Sequence, residues 1–300
     1  MCWSFSVHVN KLPTSKLRLS LGVLVDLKAY PQLQELIDRH RKLFILTGAG
    51  CSTASGIPAY RDKQGQWQVN TPIQHHDFMQ QHLVRQRYWY RSLLGWKFVG
   101  TAEPNAIHAA LANWEHKGRV GLLVTQNVDC LHRRAGSQAL VELHGRLDRV
   151  VCLGCGEYFQ RSVIQEELHQ MNPQILAKLE VIHRSIRPDG DVELGDVDYS
   201  RMEIPCCRYC SGVLMPDVVF FGGSVPKQRV QQCYDAIDNS DAVLALGSSL
   251  MVYSGFRFCK RAKELGKPLI IVNQGVTRAD DIADLKVEAD CIEAIPSIHI

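Results

Sequence analysis

No stretch of the 300 residues approaches the roughly 20 consecutive apolar positions that a membrane-spanning helix needs, so a helical integral membrane protein is excluded. Internal repeats and low-complexity linkers are absent too, which sets aside solenoids and tethered modules. Charge of one sign is scarce. The 34 Lys and Arg against 31 Asp and Glu leave a net charge of +3, too mild by itself to imply nucleic acid. Arg85, Arg87, Arg91, Arg133, Arg134, Arg146 and Arg149 then read as a solvated face, and no specific nucleic-acid partner is expected. A secretory apolar segment of convincing length with a small-residue cleavage site is lacking. Residues 1–25 hold no Asp or Glu but carry Lys11, Lys16, Arg18 and four serines, a composition shared with mitochondrial transit peptides. The expectation is a soluble cytoplasmic enzyme, with the mitochondrial matrix as the alternative; 46% apolar and 22% charged residues are ordinary for such a chain.

What is present begins with length and cysteine. Three hundred residues exceed the usual single-domain size, so one large domain with a smaller module, or two domains, is expected. Eleven cysteines form an odd number that fits poorly with a paired secreted scaffold and favours thiols or metal. Cys152-x-x-Cys155 and Cys207-x-x-Cys210, each beside Gly or Ser, have the form of two knuckles of a tetrahedral zinc site. The pairs stand 51 residues apart, yet lengthening a loop from about 20 to about 51 residues costs only roughly 0.8 kcal/mol. Structural zinc contributes on the order of 10 kcal/mol or more, so the insertion does not argue against the site. One structural zinc on Cys152, Cys155, Cys207 and Cys210 is expected, closed and therefore holding the fold rather than activating water. Cys206 competes as a ligand, but the two-residue spacing selects Cys207. Cys2, Cys51, Cys130, Cys233, Cys259 and Cys291 have no ligand pattern and read as buried small side chains.

Along the chain, strand, turn and helix recur. Residues 31–40 read as a helix with Leu33, Leu36 and Ile37 on one face, and 42–47 as an apolar strand before the turn at Gly48. Further strands are expected at 120–125, 242–246 and 268–272, with a helix at 256–265 between the last two. Strands separated by helix-length segments imply an α/β fold, a parallel sheet covered by helices on both faces.

Such a sheet presents its functional groups at the carboxyl ends of its strands. Leu122-Leu123-Val124 runs into Thr125-Gln126-Asn127-Val128-Asp129, and His144-Gly145 follows His132 by twelve positions. An amide pair and a carboxylate within four positions read as an active site, or as a helix start capped by Asn127 or Asp129. The turn Gly48-Ala49-Gly50-Cys51-Ser52 lets backbone amides approach a pyrophosphate. It departs from Gly-x-Gly-x-x-Gly, and no acidic residue lies about 20 positions on to hold a ribose, which disfavours a simple dehydrogenase. Gly247-Ser248-Ser249 and Asn273-Gln274-Gly275 equip two more strand ends, so one long nucleotide across the sheet edge is expected.

These residues carry a resemblance that spans about residues 31–295. The chain resembles the sirtuin family, NAD-dependent protein lysine deacylases, through Gly48–Ser52, Gly56-Ile57-Pro58-Ala59-Tyr60-Arg61, Thr125–Asp129, His144-Gly145, both cysteine pairs, Pro216-Asp217-Val218-Val219-Phe220-Phe221-Gly222 and Gly247-Ser248-Ser249-Leu250. Pro72-Ile73-Gln74-His75 and Arg85-Gln86-Arg87-Tyr88-Trp89 resemble its class II, the subgroup with a mitochondrial lipoamidase. The resemblance implies a Rossmann-type NAD-binding domain in two pieces, 31–150 and 215–300, a zinc-ribbon module at 151–214, and an N-terminal extension over 1–30.

It also implies chemistry: acyl transfer from lysine to ADP-ribose with release of nicotinamide. His144 matches the general base, and an ordinary imidazole pKa near 6.5 suits that work. Asn127, with catalytic His144, and Gln126 and Asp129 match residues around nicotinamide and its ribose. Gly48, Ala49, Gly50, Ser52, Tyr60 and Arg61 match the pyrophosphate and nicotinamide loop; Gly247, Ser248, Ser249, Asn273, Gln274 and Gly275 the adenosine side; Cys291 the adenine contact. Acylated-lysine proteins are the implied substrates, adding a strand along Val218, Phe220, Gly222 and Gly223, although Gly223 stands where many sirtuins have Glu. Tyr88 and Arg91 fit the Tyr-x-x-Arg pair with which desuccinylating sirtuins hold an acyl carboxylate, or else belong to an amphipathic helix with an aromatic buried face. Two alternatives stay open: a zinc-ribbon nucleic-acid module, and an ADP-ribosyltransferase using the same pocket.

Overall fold

The computed structural model describes residues 16–18, 24–26, 30–67, 72–176 and 198–300. The extension expected over residues 1–30 falls largely outside them; within it, β1 (Lys16–Arg18) and β2 (Leu24–Asp26) pair antiparallel. From residue 30 the elements run α1 (Pro31–Arg39), β3 (Leu43–Thr47), α2 (His75–Gln80), α3 (His82–Thr101), α4 (Ala106–His116), β4 (Val120–Thr125), α5 (Leu131–Arg134), β5 (Leu140–Glu142) and β6 (Gly145–Cys152). They continue as β7 (Tyr158–Gln160), α6 (Arg161–Met171), α7 (Pro173–Leu176), β8 (Leu214–Val218), α8 (Lys227–Asp238), β9 (Ala242–Leu246), α9 (Tyr253–Glu264), β10 (Leu269–Val272), β11 (Leu285–Val287) and α10 (Cys291–Ala294).

Six strands form one parallel sheet in the order β11-β10-β9-β3-β4-β5. Counted within the sheet this is 6-5-4-1-2-3, the doubly wound order, whose switch point lies between β3 and β9. Side chains alternate between faces with the strand period of two. Leu43, Ile45, Ala242, Leu244, Leu246, Ile270 and Val272 meet α1, α4 and α10 on one face. Phe44, Leu46, Val243, Ala245, Leu269 and Ile271 meet α8 and α9 on the other. The continuous apolar runs that marked these strands are thus a consequence of two covered faces.

Among the element boundaries that differ from expectation, two have visible reasons. The first sheet strand begins at Leu43, because the Lys42 N–H is taken by Asp241 Oδ2 at 2.8 Å. Helix α9 begins at Tyr253, three residues before the expected start, with Gly255 inside it. A Cβ at Gly255 would lie 2.5 Å from Gln126 Oε1, so the glycine admits the strand-end amide against the helix and does not break it. Gly255→Ala should therefore leave stability near wild type, where gained helix propensity of about 1 kcal/mol offsets crowding, yet lower activity roughly tenfold through Gln126; equal activity would refute this placement.

β6, β7 and β8 form a separate antiparallel sheet in the order β7-β6-β8. Its core joins Val150, Cys152, Phe159, Ile164, Leu168 and Leu214 to Ile73, Phe78, Tyr88, Trp89, Leu93 and Leu94. Helices α2 and α3 thus share a core with the cysteine-bearing sheet. Helix α3 is not amphipathic: every residue from Tyr88 to Leu94, Arg91 included, is buried, and Arg161 reaches Ser92 O and Oγ at 3.2 and 3.1 Å. Four of the arginines expected on a solvated face are ion-paired, Arg133 with Glu142, Arg134 with Glu103, Arg146 with Asp148 and Arg149 with Asp217. Among the described residues no helix is long and apolar enough to cross a membrane.

Candidate active site

The strand ends of β3, β4, β9 and β10 border a cleft of about 800 Å³ at the switch point. Here the loop after β3 touches the loop after β9: Gly48 N–H donates to Leu246 O at 3.0 Å and Gly50 N–H to Gly247 O at 2.8 Å. A Cβ on Gly48 would sit 2.7 Å from Ser248 Cβ, and one on Gly50 2.8 Å from Gly247 Cα. The glycines are therefore required by loop-to-loop contact before any ligand arrives. Gly48, Ala49, Gly50, Ser52, Tyr60, Arg61, Gln126, Asn127, Asp129, Gly247, Ser248, Ser249, Asn273, Gln274 and Cys291 all line the cleft. Gly275 does not; its φ is +91° and a Cβ would fall 2.0 Å from Lys63 O, so it serves the turn.

A hydrogen-bond network links the polar groups. Asn127 Nδ2 donates to Gly48 O and to Ser52 Oγ, both at 3.0 Å, and Ser52 Oγ donates to Asp129 Oδ2 at 2.7 Å. With both amide hydrogens engaged, Asn127 keeps Oδ1 for a ligand. Asp129 Oδ1 meanwhile accepts from Leu131 N–H at 2.9 Å across the turn that enters α5; the N-cap of that helix is Cys130, not the Asn127 or Asp129 weighed from sequence. Burial raises the Asp129 pKa, opposed by the Leu131 and Ser52 donors. Gln126 Nε2 donates to Ser248 Oγ at 2.9 Å and Thr47 O at 3.3 Å, tying β3, β4 and β9 together.

His144 lies between β5 and β6, half-buried with its ring on the cleft. Nδ1 is 2.9 Å from Gln126 O, an acceptor only, so Nδ1 carries the hydrogen. Nε2 is then the lone-pair nitrogen, and Ser254 Oγ donates to it at 2.7 Å. Burial lowers the His144 pKa to about 4, opposed by the Gln126 carbonyl and reinforced by the charge of Arg229. The imidazole is therefore neutral across the physiological range, a lower value than the ordinary one assumed from sequence. Ser254 lies four residues beyond the Gly247–Leu250 motif and carries no sequence signal of its own; Lys63, Trp67, Leu147 and Arg257 also line the cleft without one.

Behind the site, His108 and His132 face each other with ring centroids 4.6 Å apart, both fully buried. Burial lowers both pKa values, His108 to about 4. Unfolded, each binds its proton near pH 6.5, so their contribution is complete above that pH and is lost as pH falls toward 4. For His108 alone the loss is on the order of 3 kcal/mol. Urea midpoints should fall steadily between pH 6.5 and 4.5. His108→Gln, which keeps an acceptor at this capping-box position, should flatten that fall; an unchanged slope would contradict the buried-imidazole origin.

On the expected peptide edge, Val219 N–H donates to His144 O at 2.8 Å and Phe221 O accepts from His75 N–H at 2.7 Å. Phe220 stacks on Phe78 with centroids 4.9 Å apart and so anchors the edge to α2, while Val218, Phe220, Gly222 and Gly223 border the cleft. A Cβ at Gly223 would lie 2.9 Å from Phe220 O, which accounts for glycine in place of Glu. Tyr88 lines the cleft, and Arg91, one helical turn further along α3, is buried.

The four expected ligand sulfurs, of Cys152, Cys155, Cys207 and Cys210, lie within 4.8 Å of one another. Separations of 3.4 Å (Cys152 to Cys210) and 3.7 Å (Cys155 to Cys207) match the ~3.8 Å edge of a tetrahedron with Zn–S near 2.3 Å. A Cβ on Gly212 would strike Cys152 Sγ at 2.9 Å, so the knuckle glycine makes room for sulfur. Cys206 stays outside this cluster, and Cys51, Cys130, Cys233, Cys259 and Cys291 are buried thiols.

The Sir2 family model matches residues 48–254. A Xanthomonas campestris protein named NAD-dependent protein deacetylase is 51% identical over 265 residues, covering 88% of this chain and 89% of its own length. NAD-dependent protein deacetylase 2 of Bradyrhizobium diazoefficiens is 49% identical, covering 89% and 96%. The mitochondrial NAD-dependent protein lipoamidase sirtuin-4 of Bos taurus is 44% identical, covering 91% and 87%. Among solved structures, a complex of Sir2 with a p53 peptide and NAD+ is similar at TM-score 0.67 and 29% identity, over 89% of this chain and 95% of that one.

Proposed function

The chain belongs to the Sir2 family, and from that membership we propose that it removes acyl groups from lysine side chains of proteins at the expense of NAD. The acyl group passes to ADP-ribose and nicotinamide is released. Transfer of ADP-ribose to protein is not favoured, since the relatives at 49 and 51% identity are named deacetylases. NAD fits what the cleft offers: four strand ends at the switch point, backbone-lined glycine loops, and the Asn127–Ser52–Asp129 network. Bound there, NAD supplies the electrophilic ribose carbon. Asn127, Gln126 and Asp129 hold the nicotinamide ribose; Ala49, Ser52, Tyr60 and Arg61 its phosphate side; Ser248, Asn273 and Cys291 the adenosine.

The observation that carries this reading is His144 on the cleft wall, with Nδ1 fixed by Gln126 O and Nε2 left as the lone-pair nitrogen. His144 takes a proton from a ribose hydroxyl at Nε2. Acylated-lysine proteins dock along Val218 to Gly223 between the two sheets. The acyl-carboxylate role for Tyr88 and Arg91, three apart on α3 with Tyr88 on the cleft, stays a proposal for the acyl-peptide panel to test. A class II identity is supported by the likeness to the named lipoamidase. The many buried thiols support a reducing compartment, the cytoplasm or alternatively the mitochondrial matrix.

Incubation with NAD and a panel of acetyl, succinyl, glutaryl and lipoyl lysine peptides tests cofactor, reaction and acyl preference together. Nicotinamide release that strictly requires an acylated peptide is the expected outcome. Release without one, or activity persisting in His144→Tyr, would overturn the reading.

A further inference from the structure

The first turn of α9 brings Ser254 to His144 across 110 positions of sequence, and nothing in the proposed reaction has yet used it. The Gln126 carbonyl can only accept, so His144 Nδ1 donates to it; Nε2 is then an acceptor, and the Ser254 hydroxyl must donate at 2.7 Å. The ring is clamped at both nitrogens, from the end of β4 on one side and from the start of α9 on the other. Both anchors are built in. Gln126 is itself bonded to Ser248 and Thr47, and Gly255, next to Ser254, is glycine because Gln126 Oε1 fills the space of its Cβ. Base, Gln126 and Ser254 therefore form one packed unit.

We propose that Ser254 is a positioning residue for the His144 base: its hydroxyl occupies the Nε2 lone pair in the substrate-free enzyme and yields that place to the substrate hydroxyl. This rests on the assignment of His144 as base. Nε2 has one lone pair, so Ser254 and a substrate O–H cannot both donate to it. On substrate arrival the Ser254 hydroxyl hydrogen rotates away. When Nε2 takes the substrate proton it becomes a donor, and Ser254 Oγ, with its own lone pairs, can accept from Nε2–H. No net proton is gained or lost by the serine.

The serine also sets protonation. A donor to the lone pair stabilises the neutral ring, so its removal raises the His144 pKa. Other charged groups around His144 are untouched by the substitution: Arg229 of α8, whose Nη1 donates to Leu143 O; Lys227 and Arg257 on the cleft wall; Asp129 beyond Asn127; and Asp217 of β8, held by Arg149.

The test compares Ser254→Ala and Ser254→Thr by kcat/KM against pH, with folding checked in the same buffers. Wild type and Ser254→Thr should hold their rate down to about pH 5.5. Ser254→Ala should lose activity at higher pH, its acidic limb displaced upward by about one unit, the worth of one hydrogen bond, with a plateau several-fold lower. As a measurement independent of turnover, the imidazole nitrogen resonance of Nε2 should shift in Ser254→Ala and not in Ser254→Thr. An unmoved limb and resonance in Ser254→Ala, or a threonine variant that behaves like alanine, would overturn the proposal. If His144→Tyr stays active, the base assignment falls instead.

Discussion

His144→Ala is expected to lower kcat/KM for NAD-dependent deacylation by about 100- to 10,000-fold, the range of a general base. The loss should fall on turnover and not on NAD affinity, because His144 takes no part in the Asn127–Ser52–Asp129 network. Nicotinamide release followed at saturating NAD reads the first quantity, and the NAD-induced rise in melting temperature reads the second. The pH dependence follows from the depressed pKa. Only the neutral imidazole takes a proton, and with a pKa of about 4 it is neutral throughout pH 6 to 8. Wild-type kcat/KM should thus stay level on the acid side where an ordinary histidine would already have halved it near 6.5. A drop in NAD stabilisation matching the drop in rate would recast His144 as a binding residue.

How far the sequence could be read depended on how local each signal was. β3, β4, β9 and β10 were legible because strands covered on both faces read as continuous apolar runs, and the strand-end polar residues followed from the sheet rule. The cysteine ligands were legible from spacing alone. The course of α3 was not, since Tyr88 to Leu94 are buried in succession and leave no polar face for a helical period to show. The packing of α2 and α3 on the β8 side, with Phe78 and Tyr88 against Phe220, is a long-range contact that no local pattern encodes. Ser254 was hidden twice. Gly255 disguised the helix start, and the partner of the serine lies 110 residues away. Asp129 could not be settled from sequence between cap and site because it sits one residue before the Cys130 N-cap, with one oxygen on Leu131 N–H and the other on Ser52.

Cys155→Ser should release the metal and unfold the small module while the six-stranded sheet stays folded. Cys155 is exposed, so the substitution removes a ligand without opening a core cavity. The stabilisation lost is on the order of 10 kcal/mol, more than a module of this size can replace by packing. The sulfur cluster is joined to the core of β6, β7, β8, α3 and α6 through the buried Cys152 and Cys207, whereas the two cores of the large sheet contain none of the four ligands. Loss of metal therefore propagates to Tyr88, Phe220 and Val218 on the peptide side of the cleft, and leaves Gly48, Asn127 and Ser248 on strand ends that persist. Deacylation should disappear with the metal while part of the far-ultraviolet helical signal and a urea transition of the large sheet remain. Cys206→Ser is the control: outside the cluster, it should keep one zinc per chain and near wild-type activity. Retention of zinc by Cys155→Ser, or its loss from Cys206→Ser, would show that the ligand set is not the one the sulfur geometry defines.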